Sequence, residues 1–303
     1  MQSDMKKRDF LSLLDCSPEE LGHLVARGRE FKKNRDDRDY RPLLGTTAAL
    51  ILALNSTRTR VAFEAGMSQL GGYTIVLNPQ DTQLGRGEPI EDMARVLSEM
   101  VDVIIIRTLA QADMETFATA SRVPVINAMS ARFHPCQLLA DVQTFEELRG
   151  PILGKTVAFV GDGHNMCNSY INAARQWGFN LKIACPEGYR PDPGILGSTN
   201  NAVVVESPIE AVENADLVVT DVWSSMGQEA ETEDRRKKFE PFQVNEALLD
   251  HAPLQTLFMH CLPAHRGEEI SPGLLDDPRS VVWQEAGNRL HSQKALLELL
   301  LLG

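Results

Sequence analysis

Residues 46–72 constrain the fold more than any other stretch of the chain. An apolar run from Thr46 to Leu54 stops at Asn55, and Ser56-Thr57-Arg58-Thr59-Arg60 follows. Phe63, Met67 and Leu70 then recur at i, i+4 and i+7, ahead of Gly71-Gly72. The run reads as a buried strand, and the spacing after it as one face of a helix with a hydroxyl cap and a glycine stop. The first turn of a helix leaves N–H groups unpaired and carries a partial positive charge, so it draws anions. Two hydroxyls and two guanidiniums are added to that turn here. Arginine near a helix N-terminus opposes the macrodipole, so helix stability alone does not ask for it. A bound phosphate does, through charge-assisted hydrogen bonds. A plain Ser N-cap with solvent-facing arginines satisfies the same residues.

Strand and helix keep alternating on both sides of this unit. Ser17-Pro18-Glu19-Glu20 is a helix start, with a hydroxyl cap, proline at the first helical position and carboxylates in the first turn. After residue 72 come a short strand at 73–77, a turn-rich polar loop at 79–88 and a helix over 90–100. Val101 to Ile106 reads as a buried strand with Arg107 at its carboxyl end. A helix over 111–120 and a strand over 124–127 lead to His134-Pro135-Cys136-Gln137. Ligands of open parallel sheets gather at the carboxyl ends of strands, and Arg58, Arg107 and His134 all fall at such ends.

A helix over 138–149 reads as a link, and Gly150-Pro151 opens a second α/β unit. Its strands are expected at 157–160, 180–185, 216–221 and 256–259, its helices at 166–177 and 208–213, with a Pro/Gly-rich loop at 186–200. Gly161-Asp162-Gly163 follows the first of these strands, but Met166 stands where a third glycine completes G-x-G-x-x-G, which disfavours a nicotinamide site. Residues 222–238 are polar, then densely charged, and read as a long exposed loop of the kind that often forms a lid. A leucine-dense helix over 289–302 closes the chain and should dock.

Composition bounds what such a fold can serve. At 303 residues the chain is too long for one ordinary core and suits two domains. Its net charge of −12 argues against a nucleic-acid surface, so an anionic ligand has to be met by a local basic cluster. The cysteines, at 16, 136, 167, 185 and 261, are odd in number and form no C-x-x-C pair, which fits a reducing compartment rather than a disulfide framework or zinc site. Residues 1–9 are polar, and no apolar run approaches the ~18 residues of a membrane span, so a cytoplasmic location with no membrane partner is expected.

Ser56-Thr57-Arg58-Thr59-Arg60, His134-Pro135-Cys136-Gln137, Asp221-Val222-Trp223-Ser224-Ser225-Met226-Gly227 and His260-Cys261-Leu262-Pro263 occur here in one order. Together they resemble the ornithine carbamoyltransferases of the anabolic type, over nearly the whole chain. The first motif is shared with aspartate carbamoyltransferases; the last two are more specific for ornithine as acceptor. The resemblance implies an α/β fold of two domains, each a parallel sheet with helices on both faces. Residues 1–135 would form the carbamoyl-phosphate domain, 136–149 a linking helix and 150–288 the ornithine domain, with the helix 289–303 packing back on the first. It also implies a homotrimer, or a multiple of trimers, with active sites between subunits.

By the same resemblance, Ser56, Thr57, Arg58 and Thr59 hold the phosphate of carbamoyl phosphate, Arg107 adds a guanidinium, and His134 and Gln137 address the carbamoyl group. Gln83 reaches in from the neighbouring subunit, and Arg289 completes that site. Asn165, Asp221, Ser225 and Met226 bind the amino-acid end of ornithine, and Cys261 and Leu262 lie beside the reacting amine and carbamoyl group. One departure stands out: the lysine common in the family just before the first motif is replaced by Leu54. The implied reaction is attack by the neutral δ-amine on the carbamoyl carbon, giving citrulline and phosphate, with no metal or organic cofactor. Arg58, Arg107, His134 and Cys261 are the candidate catalytic groups. Taken singly, His134 also reads as a core histidine, Cys261 as a small buried apolar residue and Asp221 as a cap. The alternatives are a carbamoyltransferase for putrescine or acylated ornithine, a nicotinamide-dependent oxidoreductase, and a catalytically silent structural subunit.

Overall fold

The computed structural model describes residues 7–78, 87–223 and 232–303. It holds two compact units, residues 1–143 with 287–303, and residues 144–286. In the first unit run α1 (Pro18–Lys33), β1 (Thr47–Leu52), α2 (Thr57–Gln69), β2 (Tyr73–Leu77), α3 (Ile90–Ser98), β3 (Val103–Arg107), α4 (Gln111–Ala120), β4 (Val125–Met129) and most of α5 (Pro135–Arg149). The strands form one parallel sheet in the order β2-β1-β3-β4.

β1 and β3 occupy the middle because their residues are apolar on both faces. Ala48 to Ile51 and Val103 to Ile106 are all buried. Burying a side chain such as Ile contributes about 1.5–3 kcal/mol, more than intrinsic strand preference can, so these runs go where both faces are covered. From β1 the chain winds to β2 on one side, then crosses to β3 on the other. The direction of winding therefore reverses between β1 and β3, whose ends are level, Leu52 pairing with Arg107. That reversal opens a crevice at the carboxyl ends.

The second unit contains β5 (Thr156–Val160), α6 (Asn165–Trp177), β6 (Asn180–Ala184), α7 (Pro193–Leu196), β7 (Ala202–Val204), α8 (Pro208–Val212), β8 (Leu217–Thr220), α9 (Thr232–Phe239), α10 (Glu246–Leu249), β9 (Leu257–His260) and the start of α11 (Val282–Leu302), which from Gly287 belongs to the first unit. Its parallel sheet runs β7-β6-β5-β8-β9, so the winding reverses between β5 and β8.

Five elements differ from the sequence expectation. α5 starts at Pro135 rather than at 138, because proline is accommodated at the first helical position. α11 starts at Val282 rather than 289: Gly287 and Asn288, poor helix formers, mask its first two turns, yet Asn288 is fully buried. The loop over 186–200 contains α7, capped by Asp192 Oδ1 on Gly194 N at 2.7 Å, and the three-residue edge strand β7 follows it, too short to show alternation. The charged run ends in α9, not in exposed loop; Arg235 and Phe239, four apart on one helix face, are both buried. The polar loop expected at 79–88, with Gln83, lies mostly outside the described residues, as do Ser225 and Met226.

Candidate active site

In the first unit, Ser56 is the N-cap of α2: its backbone is extended and its Oγ accepts from Thr59 N at 3.2 Å. The Thr57 and Arg58 amides point out of the helix end, as first-turn amides do. Arg60, expected beside Arg58, turns away instead and pairs with Glu64 across one helical turn at 3.1 Å. Arg107 closes β3, and the β3–β4 register slips by a residue between Ile106 and Arg107, a bulge that re-aims the side chain at the sheet's end. Leu54, half-buried, brings no charge to the turn before Ser56.

His134 stands immediately before α5 and is 5% exposed. Burial, and then the positive charges of Arg289, Arg107 and Arg58, hold its imidazole well below the ordinary 6.5. Three arginines from α11, β3 and α2 thus act on one neutral ring, a concentrated cationic site in a chain of net charge −12. Behind it lies a buried network. Arg289 Nη1 donates to Gln137 Oε1 at 2.6 Å and Nη2 lies 3.5 Å from Thr59 Oγ1, while Gln137 Nε2 donates to Asp141 Oδ1 at 2.9 Å. With its amide oriented as the donors require, Gln293 accepts from Arg289 Nε at 3.0 Å and Nη2 at 2.8 Å. Cys136 of the same motif is structural: its thiol, pushed up to about 12 by burial, donates to the Asn127 carbonyl at 3.3 Å.

A depressed histidine carries a sign that can be checked. Because the unfolded chain takes up a proton at His134 near 6.5 and the folded chain does not, stability contributed by the neutral ring is present above that pH and is lost as pH falls below it. Calorimetric melting of wild type is therefore expected to show a midpoint that falls between pH 7 and 5 by more than that of His134→Gln. Parallel curves for the two proteins would show that the ring titrates alike folded and unfolded.

In the second unit, Asp221 follows β8 and Cys261 follows β9. The Cys261 thiol donates to Asp221 Oδ1 at 3.1 Å, and the same oxygen accepts from Val222 N at 2.8 Å. Leu262 is held at φ +57°, a left-handed conformation unusual for leucine, with its N–H on His260 Nδ1 at 2.9 Å. The His260 proton therefore sits on Nε2, which faces Glu269 Oε1 at 3.2 Å. Asp221, His260 and Cys261 gather ligand atoms within 4.8 Å, but these bonds already engage both ring nitrogens and the thiol. Asn165 begins α6; its Oδ1 accepts from Met166 N at 2.9 Å, and it is 6% exposed. Asp221, Cys261 and Leu262 thus meet at the carboxyl ends of β8 and β9, with Asn165 at the neighbouring end of β5.

Gly163 explains the incomplete glycine motif. A Cβ there would come within 2.3 Å of Pro191 N and 2.6 Å of the Tyr189 carbonyl, to which Gly163 N donates at 2.9 Å. The glycine makes room for the chain's own backbone, and Gly161, at φ +138°, makes the preceding turn. Neither needs a pyrophosphate to account for it.

The family model "Aspartate/ornithine carbamoyltransferase, carbamoyl-P binding domain" matches residues 8–147, and the corresponding "Asp/Orn binding domain" matches residues 153–300. The chain belongs to the aspartate/ornithine carbamoyltransferase family. It is 59% identical over 299 residues to the anabolic ornithine carbamoyltransferase of Pseudomonas aeruginosa, covering 98% of each chain. It is 57% identical to the ornithine carbamoyltransferase of Chromohalobacter salexigens, covering 99% of each. Among solved structures, the ornithine carbamoyltransferase of Pyrococcus furiosus superposes with a TM-score of 0.94 at 46% identity, over 99% of this chain and 98% of that one.

Two groups in this carbamoyltransferase escaped the sequence reading. Arg235, inside the charged run, is 3% exposed and pairs with Asp162 of the Gly161-to-Gly163 turn. Glu269, fully buried behind His260, accepts from it. The signal for Arg235 was its i, i+4 relation to Phe239; nothing local marks Glu269.

Proposed function

We propose that this chain transfers the carbamoyl group of carbamoyl phosphate to the δ-amine of L-ornithine, giving L-citrulline and phosphate, the carbamoyl-transfer step of arginine biosynthesis. The observation that carries the reading is the convergence of Arg58, Arg107 and Arg289 on the buried neutral His134, beside the Ser56-capped end of α2. Three permanent cations and a helix N-terminus suit a phosphoryl dianion, and a neutral imidazole N–H suits the carbamoyl oxygen that becomes negative during attack.

In this reading residues 1–135, with 289–303, bind carbamoyl phosphate through Ser56, Thr57, Arg58, Thr59, Arg107, His134, Gln137 and Arg289. Residues 150–288 bind ornithine, through Asn165 and Asp221 with Ser225 and Met226; Cys261 and Leu262 lie beside the reacting groups. The amine nitrogen bonds to the carbamoyl carbon, the carbon–oxygen bond to phosphate breaks, and the departing phosphate takes the proton the amine loses. Positioning and preorganised donors supply the catalysis. The enzyme works in the cytoplasm as a homotrimer or a multiple of one, with Gln83 contributed by the neighbouring subunit; sedimentation at the mass of a single chain would count against that assembly. Among the described residues no helix is long and apolar enough to cross a membrane.

Colorimetric citrulline formation from ornithine and carbamoyl phosphate, with aspartate, putrescine and acylated ornithine in parallel, tests the acceptor. Activity with ornithine alone is expected; a faster rate with another amine overturns that choice. Cys261→Ala removes the thiol that donates to Asp221 at 3.1 Å. It is expected to lower kcat/KM for ornithine by about 10-fold or more, on the scale of one hydrogen bond to a charged group, with carbamoyl-phosphate affinity little changed. Equal damage to both substrates would contradict the assigned place of the thiol.

A further inference from the structure

We infer that Arg235 is a positioning residue for the amino-acid half of the site, holding the turn after β5 and the turn after β8 in one register by bridging Asp162 to the Trp223 carbonyl. The inference rests on the ornithine reading above and concerns two sequence features that the reaction leaves unused, the Gly161-to-Gly163 turn and the charged run.

A solvated charge run explains Arg236, Lys237 and Lys238, which are exposed; it does not explain Arg235, 3% exposed among them. The Arg235 Nε donates to Trp223 O at 2.7 Å while Nη2 pairs with Asp162 Oδ2. Its guanidinium lies 4.7 Å from the Tyr189 ring centroid and 5.2 Å from that of Phe239. Phe239 in turn packs edge-on against Tyr189, with ring centroids 4.8 Å apart, and lies tilted against Trp223 at 5.9 Å. Tyr189 is also the residue whose carbonyl takes Gly163 N, so the aromatic box and the turn share a wall.

The two groups joined by Arg235 sit close in sequence to ornithine-binding candidates. Asp162 precedes Asn165 by three residues, and Trp223 follows Asp221 by two. They lie on opposite flanks of the β5–β8 reversal, where the strand pairing ends at Phe159 and Val219, before either turn begins. A planar fork can serve a carbonyl and a carboxylate at once while its faces lie against rings; an ammonium cannot. There is an electrostatic consequence too. Burial lifts the Asp162 carboxyl above the ordinary range, the Asp221 charge adds to that, and Arg235 opposes it. With the Asp162 charge matched by Arg235, Asp221 has no unpaired carboxylate of Asp162 competing beside it.

The test is steady-state citrulline formation by the full-length enzyme, varying each substrate in turn, for Arg235→Met, Arg235→Lys, Asp162→Asn and the double variant Arg235→Met/Asp162→Leu. Arg235→Met is expected to raise the KM for ornithine at least about 10-fold, the effect of one lost charge-assisted hydrogen bond, with the KM for carbamoyl phosphate within about 2-fold of wild type. Arg235→Lys should recover only part of this. The double variant removes the buried charge as well as the bridge, so its melting midpoint should return towards wild type while its ornithine KM stays high. Should Arg235→Met fail to fold, the double variant and Arg235→Lys carry the same comparison. A wild-type ornithine KM in the folded variants, equal shifts for both substrates, or recovery of KM along with stability in the double variant would each overturn the positioning role. Wild-type enzyme that forms no citrulline removes the ornithine reading itself, whereas an active wild type with an unmoved ornithine KM in the variants removes only the role of Arg235.

Discussion

Arg58→Ala is expected to lower turnover by at least about 10²-fold, the scale of losing one preorganised donor to an oxyanion, while leaving the melting midpoint close to wild type. The separation follows from where Arg58 sits. It is half-buried in the first turn of α2, where its charge opposes the helix dipole by about 0.3–1 kcal/mol. It shares the surroundings of the neutral His134 with Arg289 and Arg107, so without a ligand its removal relieves repulsion among like charges rather than creating it. With a dianion bound the balance reverses, since a hydrogen bond to a charged group is worth about 1.5–3 kcal/mol net. Arg60→Ala is the control: paired with Glu64 on the surface, it should change turnover little. Turnover at the wild-type level in Arg58→Ala would remove Arg58 from the chemistry.

Arg289→Met is expected to damage stability and carbamoyl-phosphate use together. Arg289 is 2% exposed and its guanidinium serves Gln137 and Gln293, so methionine takes the arginine donor from two buried amide oxygens. A buried acceptor left unsatisfied costs about 1–3 kcal/mol, enough to lower the midpoint by several degrees. Gln137, no longer held between Arg289 and Asp141, loses its orientation next to His134, and the KM for carbamoyl phosphate should rise by about 10-fold or more. Because Arg289 is the strongest charge depressing His134, that imidazole should also titrate closer to its ordinary value in the variant. An Arg289→Met enzyme with a normal midpoint and normal carbamoyl-phosphate KM would mean that the network is ornamental.

The contrast between these two arginines shows how far local pattern reaches. Arg58 was legible because a cap, an apolar periodicity and a strand lie within a few residues of it, and each obeys a short-range rule. Arg107 was legible for the same reason, at the end of a run of isoleucines. Arg289 was placed by resemblance alone: its helix looked seven residues shorter than it is, since Gly287 and Asn288 are poor helix formers, and of the two Asn288 is fully buried in the fold. Arg235 went unseen because charge density is a surface signal, and one buried cation among four basic residues cannot be singled out without its partners.

What the sequence by itself determined is the strand–helix alternation and the strand ends where polar groups had to collect, both consequences of periodicity and capping within a dozen residues; the two parallel sheets were implied by the family resemblance. What only the tertiary structure decided is which charges share a site. Arg60 left for Glu64, Gly163 made room for the backbone at 189–191, and Arg289 and Arg235 joined their clusters from far along the chain. The reason is physical: hydrogen bonds of a strand or helix turn link near neighbours, whereas electrostatic fields and buried amide networks depend on distances that exist only once the chain has closed on itself.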